Sequence, residues 1–511
     1  SGIGLGFQRD QVWWKPGREW VAYAQRCQSL LQQGRPVVDI AVFIGEETPR
    51  RAVLPERLVS TLPGIFGAEI LAREEKRLAN IGEPMRELPD KVFNSANTSD
   101  PELWIDPLHG YAYDSVNPDA LLRLAKVRNG RIEFPGGISY GLLVLPGANK
   151  MMPEGNVMSP GVAIKLRELV EAGATILLTE RPEKAPGLPK GSSAEATVKQ
   201  VGELLWGGQT TGSKNNTVGK GRVLKGAYHG DSFDNIGLQR DLVARDTSGK
   251  RAEEIAWIHR TAPGFDIYFI SNQQDKLRTL QVSLRVNGRV PEFWDAVTGN
   301  IYTAQDWRIE NGRTLLPIRL ERNGSVFVVL QRSTKETKSS RGKNWTEAKT
   351  IQTLQKPWQV TFDPSFGGPE KPVTFHQLTD WSKNADPGIQ YYSGTAAYVT
   401  TFDWQKPAGK ASKVWLNVGN VANIAEVIVN GINCGVAWTA PFAVDITKAL
   451  RVGKNEVVIE ASNTWANRMI GDRKLPADKR ITRTNAPFVL EGKPLLEAGL
   501  LGPVTIQVTD R

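Results

Sequence analysis

At 511 residues, 40% of them hydrophobic and 23% charged, with a mean hydropathy of -0.32, the chain is globular material too long for one core, and roughly three or four domains are expected. No apolar run approaches the roughly 18 uncharged residues of a membrane-spanning helix. The net charge of +10 is spread along the chain. Its densest cluster, KETKSSRGKNW at 335–345, reads as a solvated linker and not as a nucleic-acid surface, which would mount its charges on a structured face with aromatics between them. Cys27 and Cys434 lie far apart, and with four scattered histidines they make neither a disulfide framework nor a zinc site.

In chain order, the opening SGIGLGFQRDQVWW lacks the basic and apolar regions of a secretory signal, so any such signal is expected to be absent or already removed. Rich in glycine and aromatics, it reads as the end of a unit whose beginning is missing. Residues 15–33 place Trp20, Tyr23, Ala24, Cys27, Leu30 and Leu31 at helical spacing, with Gly34 as the stop. An aromatic pair such as Trp13 and Trp14 either packs beneath a domain or, at the mouth of a sugar site, stacks on a ligand.

From 36 to about 205 the apolar strands PVVDIAVFIGEE, YGLLVLPG and ATILLTE alternate with helical patterns such as GVAIKLRELVEAG, which indicates a parallel sheet covered on both faces. Ligands of such sheets gather at the carboxyl ends of strands, which places Glu46, Glu47 and the PGANKMMP loop on the functional edge; the alternative is that the two glutamates cap or salt-bridge the following loop. The unit resembles a class I glutamine amidotransferase, but it contains no cysteine to act as that family's nucleophile.

From about 222 to 332 the runs EEIAWIHRT, FDIYFISNQ, TLQVSLRV, PEFWDAVTG and GSVFVVLQ, separated by turn residues, predict a β-sandwich. His259, on one of its strands, is expected to be a satisfied structural residue with no part in proton transfer. From 357 to 511 the strands GTAAYVTTFDW, KVWLNVGNV, AEVIVNGINCGVAW and KNEVVIEASN suggest a jelly roll, with the Asn-Gly of VNGINCG turning a tight hairpin. The stretch NTWANRMIGD at 463–472 reads as a loop. In it Arg468 and Asp472 are expected as a buried ion pair above Trp465, with Asn463 and Asn467 bonded to backbone, bracing the domain; the rival reading is a sugar contact.

Several long segments carry a resemblance: QRDQVWWKPGREWVAYAQRCQSLLQQG, AWIHRTAPGFDIYFISNQ, PEFWDAVTGNI, PWQVTFDPSFGGP, DPGIQYYSGTAAYVTTF, LNVGNVANIAEVIVNGINCGVAWTAPFAVDIT, NTWANRMIGD and AGLLGPVTI. Together they resemble glycoside hydrolase family 106, the α-L-rhamnosidases, over essentially the whole chain. The jelly roll alone shares its VNG and WTAPF features with family 2, while the order of domains favours family 106. The resemblance implies an N-terminal catalytic (β/α)8 barrel of which only the last helix and its preceding loop are present. It also implies an inverting reaction with a glutamate acid and a glutamate base at barrel strand ends, and calcium near the sugar. None of residues 1–14 is a glutamate, so the catalytic pair and the calcium ligands are assigned to no residue here, and Glu19 is expected to face solvent.

The expected fold is thus multidomain, α/β plus all-β. It comprises the last barrel segment (1–35), an amidotransferase-like parallel α/β domain (36–221), a β-sandwich (222–335), a linker (336–356) and a galactose-binding-like jelly roll (357–511). Arg9, Trp13, Trp14, Glu46 and Glu47 are the candidate substrate contacts. The expected function is that of the C-terminal portion of an inverting α-L-rhamnosidase, periplasmic or secreted, acting on terminal rhamnose of an oligosaccharide or polysaccharide together with the missing barrel. Nucleic acid and a membrane span are not expected. The rivals are a non-catalytic carbohydrate-binding or scaffolding protein and a family 2-like glycosidase fragment; an amidotransferase-like enzyme is disfavoured by the missing cysteine.

Overall fold

The computed structural model describes residues 8–46, 52–79, 105–148, 154–187, 193–207, 215–406, 413–484, 490 and 492–509. A six-stranded sheet carries the α/β unit, in the order Tyr113–Val116, Ile40–Phe43, Leu142–Leu145, Thr175–Leu178, Gly221–Lys225, Asn215–Val218. Its first five strands run parallel, and the last two form an antiparallel pair. The three central runs bury every residue. Their alternate side chains feed two cores: Ala41, Phe43, Leu143 and Ile176 meet the helices Pro160–Glu171 and Ser193–Trp206, while Ile40, Val42, Leu142 and Leu177 face Leu58, Leu62 and Phe66. That is why the sequence shows continuous apolar runs here and not alternation. Because Gly221–Lys225 pairs with Thr175–Leu178, this unit runs past the boundary expected at 221.

The sandwich stacks two antiparallel sheets. One has the order Arg35–Pro36, Ile255–Ala262, Phe265–Asn272, Ser325–Ser333, Arg289–Trp294, Ile301–Thr303; the other runs Leu242–Arg245, Arg278–Leu284, Arg313–Leu320, Asp306–Glu310, Lys338–Ser340. The helix Arg18–Leu31 lies against the outside of the first sheet, packing Tyr23, Cys27, Leu30 and Leu31 on Ile267, Phe327 and Val329. Trp20, expected on the same face, is 39% exposed. Gly34 follows at φ 57, a left-handed turn that lets the chain enter the sheet as its edge strand.

The jelly roll pairs a six-stranded sheet, Val373–Phe375, Trp358–Thr361, Thr395–Trp404, Gly453–Ser462, Ile424–Val429, Ile432–Ala437, with a four-stranded one, Lys349–Thr353, Thr505–Thr509, Lys413–Asn417, Ala443–Asp445. Its core is built on Trp358, Trp381, Tyr392, Tyr398 and Phe402, and the Trp381 indole donates to the Tyr398 hydroxyl at 2.6 Å. Asn430 and Gly431 both take positive φ, as the two-residue hairpin turn requires.

The segment expected as a linker is ordered at both ends. Lys338–Ser340 adds a strand to the sandwich, Lys349–Thr353 adds one to the jelly roll, and Asn344 between them is buried, bonding the backbone of Gln305, Asp306 and Pro317. The lysines are exposed as expected, but backbone pairing, which composition does not report, fixes the path. Among the described residues no helix is long and apolar enough to cross a membrane.

Candidate functional site

Residues 8–14 form consecutive turns. The Gln11 amide donates to the Gln8 carbonyl at 3.1 Å, that of Trp14 to Gln11 at 3.0 Å, and that of Gly17 to Trp13 at 2.8 Å. The Trp13 ring lies so close to Gly17 that a Cβ there would meet it at 2.6 Å; this indole is therefore half-buried against the first turn of the following helix. Arg9 is exposed and Trp14 is 43% exposed, so these two present a guanidinium and an aromatic face outward on one short segment. Glu19, expected in solvent, is half-buried with Arg18 beside it at 3.4 Å.

Against this segment stands NTWANRMIGD, which is a helix (Ala466–Arg473) and not the expected loop. Arg468 and Asp472 are one helical turn apart and both buried, with Nε 3.0 Å from Oδ1. That i, i+4 spacing of opposite charges was the available helical signal, masked by the short length and the preceding strand alternation. The remaining Asp472 oxygen accepts from the backbone amides of Ile481 and Thr482 and from the Thr482 hydroxyl. Both amides bond backbone as expected: Asn463 holds Gly394 and Tyr392, and Asn467 holds the amide and carbonyl of Leu496. Trp465 sits edge-on to Phe366, with centroids 5.5 Å apart, and its indole N–H donates to the Asp10 carbonyl at 2.9 Å. This last contact spans most of the chain and had no sequence signal.

Glu46 lies elsewhere. In the parallel sheet the chain steps from Ile40–Phe43 outward to Tyr113–Val116 and later returns to Leu142–Leu145 on the other side, so connections reverse direction between Ile40–Phe43 and Leu142–Leu145. A cleft of ≈ 450 Å³ opens at that reversal, lined by Phe43, Glu46, Leu145, Met158 and Glu180 among others, where open α/β sheets take ligands. The Glu46 carboxylate accepts from both the amide and the hydroxyl of Ser159, the N-cap of Pro160–Glu171. Glu46 thus bonds the N-cap of a distant helix while lining the cleft. None of residues 8–14 lines this cleft, and Glu47 falls outside the described residues.

A buried charge chain joins the α/β unit to the sandwich. Arg131 and Arg285 both donate to Asp39, and Arg285 approaches Asp241 at 3.6 Å. Asp241 receives His259 Nδ1 at 2.7 Å and the Tyr268 hydroxyl at 2.7 Å, while His259 Nε2 meets Asp266 at 3.1 Å. With a carboxylate at each ring nitrogen, both nitrogens donate and the ring is an imidazolium. Burial alone would lower the His259 pKa, but the carboxylates outweigh it and raise it. Burial likewise opposes the Asp241 charge, and the imidazolium and Arg285 overcome it to hold the carboxyl below its usual range. His259 is thus a satisfied structural residue. Its partners, 18 positions upstream and 7 downstream, come together only through strand pairing.

Comparison with known proteins places these features in context. The family model for glycoside hydrolase family 106, alpha-L-rhamnosidase, matches residues 1–71 and 97–308, and that for the glycosyl hydrolase 2 galactose-binding domain-like fold matches 376–489. A solved rhamnosidase from Novosphingobium sp. PP1Y is 30% identical, with a TM-score of 0.76 over 98% of this chain and 42% of its own. A protein of Formosa agariphila, provisionally named a β-glucuronidase, is 23% identical over 99% of this chain and 58% of its own length. The chain thus spans between two-fifths and three-fifths of these relatives, and its fold, α/β plus all-β with a galactose-binding-like domain, is the one it shares with the rhamnosidase.

Proposed function

The chain belongs to glycoside hydrolase family 106, the α-L-rhamnosidases, and from that premise we propose that it is the portion of an inverting α-L-rhamnosidase that braces and completes the sugar site. The enzyme would release terminal rhamnose from a polysaccharide outside the cytoplasm, in the periplasm or beyond it. The observation that carries the reading is the reach of the family match over residues 1–71, which takes in the turns bearing Arg9 and Trp14. An exposed indole can stack on the apolar face of a pyranose, and a guanidinium can donate to its hydroxyls.

Inverting hydrolysis needs two carboxyl groups about 6.5–9.5 Å apart, one protonating the leaving oxygen and one activating water. In residues 8–20 the carboxylates are Asp10 and Glu19, the latter beside Arg18. We therefore place the acid and base in the part of the longer relatives that this chain does not cover. Among the described residues no three His, Cys, Asp or Glu side chains are placed to hold a metal ion. We place the calcium implied by the resemblance in the intact enzyme and assign it no ligand here. The largely parallel sheet that runs from Ile40 to Lys225 supports the amidotransferase likeness as a scaffold, without that family's cysteine chemistry.

The 511-residue chain alone is expected to leave an aryl α-L-rhamnoside intact, while the full-length protein hydrolyses it. Turnover by this chain that disappears when one of its own glutamates is replaced would overturn the reading. In the full-length protein, Trp14→Ala and Arg9→Ala together are expected to weaken sugar binding by about 2–4 kcal/mol, seen as a raised KM or lowered kcat. Unchanged kinetics in both variants would remove this segment from the sugar site.

A further inference from the structure

The question left by the jelly roll is what its 466–473 helix is there to hold. The buried ion pair, the amides bonded to Gly394, Tyr392 and Leu496, and the Ser393 hydroxyl accepting from the Arg468 amide at 3.0 Å fix the helix on its own domain. Trp465 stands at the head of this fixed element, its ring located by Phe366. Its one polar atom points away from the domain and donates to Asp10, inside the Gln8–Gln11 turn. The same N-terminal segment is gripped further on: Arg18 pairs with Glu426 at 2.9 Å and Tyr23 packs edge-on against Trp438, both partners in the jelly roll. On the other side Arg26 donates to the carbonyls of Ala296 and Val297 in the sandwich. Those contacts hold the helix Arg18–Leu31, whereas Trp465 acts on the turn ahead of it.

We propose that Trp465 is a positioning residue for the sugar site: its indole N–H fixes the Gln8–Gln11 turn and thereby the directions in which Arg9 and Trp14 present their side chains. The proposal rests on the reading that this segment contacts sugar. A hydrogen bond from a ring nitrogen to a main-chain carbonyl is directional, so it constrains the orientation of the turn and not merely its distance from the jelly roll. The jelly roll then contributes to catalysis without being a binding module of its own.

The test is Trp465→Phe, which keeps an aromatic ring against Phe366 and removes the donor. In the 511-residue chain, amide exchange over residues 8–14 is expected to quicken severalfold while exchange elsewhere and the melting temperature stay as in the parent. In the full-length enzyme the KM for an aryl α-L-rhamnoside is expected to rise about three- to tenfold, the scale of one hydrogen bond, with kcat changed less. Exchange over 8–14 that does not change overturns the proposal whatever the kinetics. Quickened exchange with unaltered KM, in an enzyme whose Trp14→Ala variant is impaired, also overturns it, since the turn would then be loosened without consequence. If Trp14→Ala is silent as well, the sugar-contact reading itself has failed and the proposal falls with it. Should Trp465→Phe lower the melting temperature, both measurements are compared with the parent at the same interval below each protein's own melting temperature, and the same outcomes decide.

Discussion

Arg468→Ala is expected to destabilise the protein by about 3–5 kcal/mol and to lower its melting temperature well before it alters sugar affinity. An exposed ion pair would cost under about 1 kcal/mol, so the magnitude turns on burial. Arg468 and Asp472 are 5% and 3% exposed. Removing the guanidinium leaves a carboxylate in the domain interior that keeps three donors on Oδ2, from Ile481 and Thr482, and loses the charged partner on Oδ1. Those three bonds place the expected loss toward the lower end of the range. The guanidinium also packs beside Gly367 and Ile481: a Cβ on Gly367 would stand 2.9 Å from its Nη1 and 2.6 Å from Ile481 Cδ1. Its removal therefore opens a cavity beside the uncompensated charge. The measurement is thermal unfolding beside calorimetric titration with a monosaccharide. A variant that melts like the parent but no longer binds sugar would show that the helix contacts ligand directly and is not a brace.

That expectation was partly legible in the sequence, and the division between what was and was not follows the range of the interactions. Local patterns carried the elements: the uninterrupted runs of Ile40–Phe43, Leu142–Leu145 and Thr175–Leu178 reflect burial on two faces, and Asn430-Gly431 determines its own turn. The Arg468–Asp472 pair could be anticipated because its partners lie only four positions apart, although the stretch reads as a loop and is a helix. Pairings set by tertiary structure could not. Lys338–Ser340 and Lys349–Thr353 look like solvated linker because their side chains are solvated, while their backbone bonds go to strands far along the chain. Glu46 read equally well as ligand contact or cap of the following loop, and its bonded partner, Ser159, lies 113 positions away where no local pattern could name it. The hydrogen bond from Trp465 to Asp10 crosses 455 positions, so neither residue alone could announce the other.

Asp241→Ala is expected to cost a comparable 3–5 kcal/mol, and here the effect depends on pH in a way that identifies its cause. Asp241 lies at the junction of two units, 2% exposed, where it neutralises the His259 imidazolium, receives the Tyr268 hydroxyl and stands beside Arg285. Without it, Arg285 keeps Asp39 and His259 keeps Asp266, but the positive charges they share are no longer matched. The His259 pKa is raised on folding, so its contribution is complete below the unfolded value of about 6.5 and is lost as pH rises through the folded one. The Asp241 pKa is lowered, so its contribution is complete above about 3.9 and is lost as pH falls through the folded value. Between about pH 4 and 6.5 both act in full, and the urea midpoint of the parent protein is expected to decline from there toward alkaline pH. Tyr268 stacks on His259 at 3.9 Å, and Arg289 donates to Asp266 from the far side, so these neighbours move with the pair. His259→Gln offers an amide nitrogen as donor to one of the two carboxylates, cannot donate to the other through its oxygen, and cannot titrate. Its midpoint should therefore lie below the parent's at pH 6 and lack the parent's alkaline decline, while the gain near pH 6.5 from His109, whose burial lowers its pKa to about 4, is common to both proteins. A parent curve without that alkaline decline, or a decline that persists in His259→Gln, would show that the junction is held by neutral hydrogen bonds and packing and not by the imidazolium.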